Sequence, residues 1–153
     1  MRNIRHRRGN TVIEFALACS VLVPTMLGAF QFAYAYYQYA TLEAAVRHAA
    51  RYASVLTYDS ATSTPTTSYA SAVSNMLLTG NPNPPVPGID AEPRMGSLDS
   101  SNVDVKMDFA NGIPSQVTVS LKGYSIDAFV ARLAMDGRPK ATLPYVGRWS
   151  AGN

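Results

Sequence analysis

A chain of 153 residues has room for one small domain and an appended segment, because a single core usually occupies roughly 100 to 150 residues. Thirteen basic against ten acidic side chains give a net charge of +3, yet Arg2, Arg5, Arg7 and Arg8 all precede Gly9; the nine basic residues beyond them face ten acidic ones, which excludes a phosphate-binding face and nucleic acid as a partner. The lone cysteine, Cys19, sits in an apolar run and excludes an intrachain disulfide.

Residues 1–9 read as a basic leader, and residues 10–55 as one helix. No charged side chain occurs from Phe15 to Leu42. As a helix, Phe15 to Tyr36 alone spans about 33 Å, enough for a hydrocarbon core of about 30 Å. Pro24 lacks an N–H and crowds the carbonyl four residues back, so a kink or loosened turn is expected near Ser20 to Pro24. The leader arginines outnumber Arg47 and Arg51 on the far flank, which places the N-terminus in the cytoplasm and has the remainder of the chain exported across the membrane. Tyr34, Tyr36, Tyr37 and Tyr39 mark the outer interface, where amphipathic rings favour the headgroup layer. Good helix formers continue to about Val55, with Glu43 and Arg47 as a favourable i,i+4 pair. Ala45, Ala49 and Ala53 form a small-residue ridge suited to close helix packing. Its partner is the chain's own C-terminal domain, a neighbouring subunit, or each along a different length.

Residues 56–153 read as an exported domain. Tyr58 to Ser68 has the Ser/Thr-rich composition of a loop. Tyr69, Val73, Met76 and Leu77 recur at helical spacing before Gly80, predicting a short amphipathic helix. The stretch 81–94 carries five prolines and is expected to be an extended connection. Val103, Val105, Met107 and Phe109 alternate with polar residues, as do Val117, Val119 and Leu121, which predicts two half-buried strands. Asn111-Gly112 lies between them and favours positive φ, although the connection looks longer than a minimal hairpin. Ile126 to Ala134 is expected to be a short helix or a loop, and Ala141 to Val146 an edge strand where Pro144 is tolerable. The fold class is α+β: a long N-terminal helix packed with a short helix and a small antiparallel sheet.

Catalytic patterns are sparse. His48 lies on the helix between Arg47 and Ala49, and no His/Cys spacing for zinc or Gly-rich phosphate loop occurs. Asp104 and Asp108 share a strand face with Lys106 between them, the pattern of solvated charge. The chain reads as a non-enzyme with no catalytic residues, metal or cofactor.

Three readings compete for the N-terminus: a signal peptide cut near Ala33-Tyr34-Ala35, an uncleaved anchor, and a leader cut on the cytoplasmic side. Arg7-Arg8-Gly9-Asn10-Thr11-Val12-Ile13-Glu14-Phe15 resembles the leader junction of type IV prepilins. Together with the apolar run, the tyrosine cluster and Ala-Ala-Val-Arg-His-Ala-Ala-Arg-Tyr-Ala, it is similar to the TadE-like minor pilins of Flp/Tad (tight adherence) systems, over roughly Arg7 to Ser54. The resemblance implies a pilin-like plan and a cut by a prepilin peptidase between Gly9 and Asn10. Its implied partners are membrane lipid, that peptidase, other pilins or pseudopilins, and Tad assembly components. It further implies that Glu14, at the fifth mature position, pairs with the Asn10 amine of a neighbour. From the residues alone, Thr11-Val12-Ile13-Glu14 also fits a capping box. A different class stays open as well, a stand-alone anchored module whose exported sheet binds an extracytoplasmic partner.

Overall fold

The computed structural model describes residues 7–83, 98–128 and 131–150. Helix α1 spans Arg7–Val55, helix α2 Thr67–Leu78, and a 3-10 turn Ser100–Asn102 leads into β1 (Val103–Ala110), β2 (Ile113–Leu121), β3 (Tyr124–Ala128), β4 (Ala131–Met135) and β5 (Lys140–Pro144). The order is long helix, short helix, then antiparallel strands, the α+β class expected. Most of the proline-rich stretch, from residue 84 onward, lies outside the described residues.

α1 passes through Pro24 as unbroken helix. The hydroxyls of Ser20 and Thr25, on either side of the proline, donate to the Leu17 and Val21 carbonyls at 2.7 and 2.8 Å. α2 starts where the Thr66 hydroxyl accepts from the Tyr69 N–H, and stops where Gly80 adopts φ 83°, a conformation that favours glycine.

Two expectations for the strands need correction. Asn111 and Gly112 are the whole connection between β1 and β2, at φ 54° and 77°, so the hairpin is minimal after all. Positive φ at both central residues gives a turn whose twist matches the strands it joins. Where a short helix or a loop was expected, Ile126 to Ala128 and Ala131 to Ala134 are strand: β3 and β4 pair antiparallel with Ile126 opposite Leu133, as a separate two-stranded sheet, and residues 129–130 lie outside the described residues. Tyr124 and Ile126 supply strand propensity, but the run is too short for its period to be read.

The larger sheet has the order β1-β2-β5. Its inner face, Val103, Val105, Met107, Val117, Val119 and Leu121, is buried against α1 and α2. Both edges are blunted. At β1 the Met107 N–H, which points away from β2, donates to the Ser63 carbonyl. At β5 the outer positions are Lys140, Thr142 and Pro144, one charged and one without an N–H.

The segment read as a loop, 58–68, holds the centre of the distal core. Tyr58 is fully buried, with its ring edge-on to Tyr69, Phe109 and Tyr145 at centroid distances of 5.1, 6.1 and 6.3 Å. Its hydroxyl donates to the Thr62 carbonyl at 2.6 Å. The stretch after β5 closes over this cluster: the Val146 N–H donates to Ser54, the Tyr58 N–H to Arg148 and the Ser150 N–H to the Tyr58 carbonyl. Gly147 is required there, because a Cβ would lie 2.6 Å from the Leu56 carbonyl.

Burial pushes the Tyr69 hydroxyl well above its ordinary 10.0, and Tyr58 and Tyr145 shift the same way, again chiefly through burial. The folded state therefore favours the neutral phenol. That contribution is intact below the unfolded value and is lost as pH rises past it. Thermal melts are expected to be flat near neutral pH and to fall above about pH 10; Tyr69→Phe should reduce the alkaline fall.

Candidate functional site

α1 divides into two parts with different surroundings. From Val12 to Phe32 its large apolar side chains, among them Phe15, Leu17, Val21, Leu22, Leu27 and Phe30, are exposed, and no residue of its most apolar window is buried. Lone exposed hydrophobics are ordinary, but a continuous sleeve of them on an isolated helix needs an apolar solvent. The helix is long and apolar enough to cross a membrane. Tyr34, Tyr36 and Tyr37 stand exposed at its upper end.

From Leu42 onward one face of the same helix becomes core. Leu42, Ala45, Val46, Ala49, Ala50 and Ala53 are buried, and the Tyr69 hydroxyl donates to the Ala53 carbonyl at 2.6 Å. Ala45, Ala49 and Ala53 thus sit against this chain's own domain, and α2, β2, β3 and β5 all touch α1. The absence of bulk at these positions lets α2 and the sheet approach the helix backbone. A neighbouring subunit has no access to the ridge while the domain is docked.

The opposite face of the stalk, Ala40, Glu43, Ala44, Arg47, His48 and Arg51, forms a shallow concavity, with Arg47 hydrogen-bonded to Glu43. His48 is exposed there. Asp104 lies 3.4 Å from Lys106 and 3.7 Å from Lys122, a surface charge cluster. Among the described residues no group of three or more His, Cys, Asp or Glu side chains is placed to hold a metal ion.

At the other end of α1, the capping box expected at Thr11 and Glu14 is not formed. The helix already includes Arg7, and Thr11 has helical backbone where a cap needs an extended one. Glu14 is exposed, and the ion pairs among the described residues do not include it. Asn10 and Glu14 are four residues apart, on one helix face.

The apolar sleeve, the stalk concavity and Glu14 all lie on α1. Residues 9–51 match the family model for TadE-like proteins. The TadE-like match begins at Gly9, runs through the apolar sleeve and ends on the alanine ridge, leaving the α2 and strand region outside it. It associates the chain with Tad pili, a structural rather than catalytic setting, and with pilus components as partners. No curated protein and no solved structure matches the chain.

Missed by pattern reading were Tyr58 and the closing stretch 145–150. One signal was present: a large aromatic residue stranded in a Ser/Thr-rich segment has little reason to be there unless it is buried.

Proposed function

We propose that this chain is a minor pilin or pseudopilin of a Flp/Tad-type pilus, held in the inner membrane by α1 with its N-terminus cytoplasmic and its domain exported. A prepilin peptidase cuts it between Gly9 and Asn10, and it is then used in assembling the filament. The observation that carries the reading is the TadE-like match over residues 9–51, which opens on the glycine of the proposed cut and follows the helix through its apolar part.

The chemistry of the cut gives Glu14 its role. Removal of residues 1–9 creates an α-amino group on Asn10 and returns Glu14 to the first turn of the helix. A carboxylate at the edge of the bilayer is costly unless paired, and the nearest new cation is that amine, on the same chain or on the next. Pairing between chains fixes their axial offset. In a strain that builds the pilus, Glu14→Ala should insert normally and be absent from sheared filaments, or leave cells without them. Normal assembly by Glu14→Ala removes the role. Mass measurement of the membrane-extracted protein should give a chain beginning at Asn10; an intact Met1 refutes the cut.

A further inference from the structure

We propose that the β3–β4 hairpin is a membrane-surface contact, laying its apolar face on the outer leaflet beside the tyrosines of α1. This rests on the anchored orientation proposed above.

The level of the hairpin follows from hydrogen bonds at the other end of the sheet. Tyr145 donates from its N–H to Ser115, and Val146 donates from its N–H to Ser54, so the start of β2 stands beside the C-terminal end of α1. From Ser115 to Leu121 a strand descends about 20 Å. That length corresponds to about 13 residues of helix, which brings Leu121 near the level of Leu42. β3 begins just beyond, and its partner strand hangs from the same point through the Gly137 N–H to the Leu121 carbonyl. β3 touches α1, and Ala35 and Tyr39 are partly buried against the domain core. α2 does not account for their cover: it starts beside Ala53, and its 12 residues descend about 18 Å, to about Leu42. The lower part of the domain therefore reaches the belt of Tyr34, Tyr36, Tyr37 and Tyr39.

At that level the hairpin has an uncovered apolar side chain, Leu133. Directly paired residues of an antiparallel sheet share a face, so Leu133 points the same way as its partner Ile126. Ile126 is buried on the core at 1 % exposure, yet Leu133 is 51 % exposed. The inner face of the hairpin overhangs the helix. What adjoins the overhang is the exposed apolar sleeve and tyrosine belt of α1, so the medium that covers the sleeve, the boundary between headgroups and acyl chains, also meets Leu133.

The test uses the full chain in phosphatidylethanolamine/phosphatidylglycerol vesicles containing lipid brominated close to the headgroup, a contact quencher of indole. The native reporter, Trp149, is at the distal end, bonded to the Ser60 carbonyl, and its emission should be unaffected. Leu133→Trp should add emission that the brominated lipid largely removes. If that added emission survives while that of Tyr36→Trp, an exposed belt position at headgroup level, is quenched, the hairpin proposal is overturned and the anchor stands; if Tyr36→Trp also survives, the anchored orientation itself fails. Added emission that resists the lipid but varies with protein density overturns the proposal in favour of a second copy on this face. Hydroxyl-radical footprinting of the unmutated chain gives an independent reading. In vesicles Leu133 should be protected while the distal, exposed Val146 is oxidised, and oxidation of Leu133 in step with Val146 overturns the proposal.

Discussion

Tyr58→Ala should unfold the exported domain at physiological temperature. The substitution removes a fully buried ring that touches three other aromatic side chains and a hydroxyl bonded to Thr62. Large aromatic truncations cost about 3–5 kcal/mol, and a domain of this size has a total stability of only about 5–15 kcal/mol. The loss should be large because the cavity cannot collapse: the Tyr58 backbone is tied on both sides, by its N–H to Arg148 and by its carbonyl to Ser150. Tyr58→Phe separates the ring from the hydroxyl and should cost about 1 kcal/mol, with the Thr62 carbonyl left to find water. Denaturant melts of the detergent-solubilised chain compare the two. Equal midpoints for wild type and Tyr58→Ala would mean that the aromatic cluster is not what closes the distal core.

Ala49→Leu should separate the domain from the stalk. Ala49 is completely buried where α2 and the sheet close on α1, so three extra carbon atoms have no free volume to occupy. Overpacking usually costs about 1–3 kcal/mol when neighbours adjust, and here the neighbours include helix backbone, which adjusts least. The readout is limited proteolysis of the membrane-bound protein. Wild type should resist cleavage around 56–66, and Ala49→Leu should be cut there while the membrane segment stays intact. Ala44→Leu, on the exposed face of the same stalk, should behave as wild type. A variant that leaves the cleavage pattern unchanged would show that the ridge tolerates bulk and that close approach is not its purpose.

These two positions also show what was legible in the sequence. Ala49 was readable because helical periodicity is long-lived: the i,i+4 alanines, the charge-free run and the extension to Val55 each constrain a single helix, and α1 obeys them. The alternating valines of β1 and β2 were readable for the same reason. Tyr58 was not, because its burial arises from segments far apart in the chain, Tyr145 and Arg148 among them, and no local pattern reports such a meeting. The β3–β4 hairpin was hidden by its brevity, since five-residue strands hold too few alternations to distinguish a strand from a helix or loop. The capping box failed for a different reason: the motif is real as a pattern, but the preceding arginines are themselves helical, so no terminus exists there for it to cap. The same motif acquires a terminus only once residues 1–9 are gone.

The blunted sheet edges bear on a matter of logistics. Single-pass proteins waiting in a bilayer are confined to two dimensions and to similar depth, so their domains collide far more often, and in more uniform orientation, than free molecules at the same copy number. An open strand edge in that queue would recruit the edge of the next chain. With Ser63 across Met107 on one side and Lys140 and Pro144 on the other, the three-stranded sheet offers its neighbours little to pair with. If the chain is anchored as proposed, a crowded pool of it can stay dispersed until something acts on the helices.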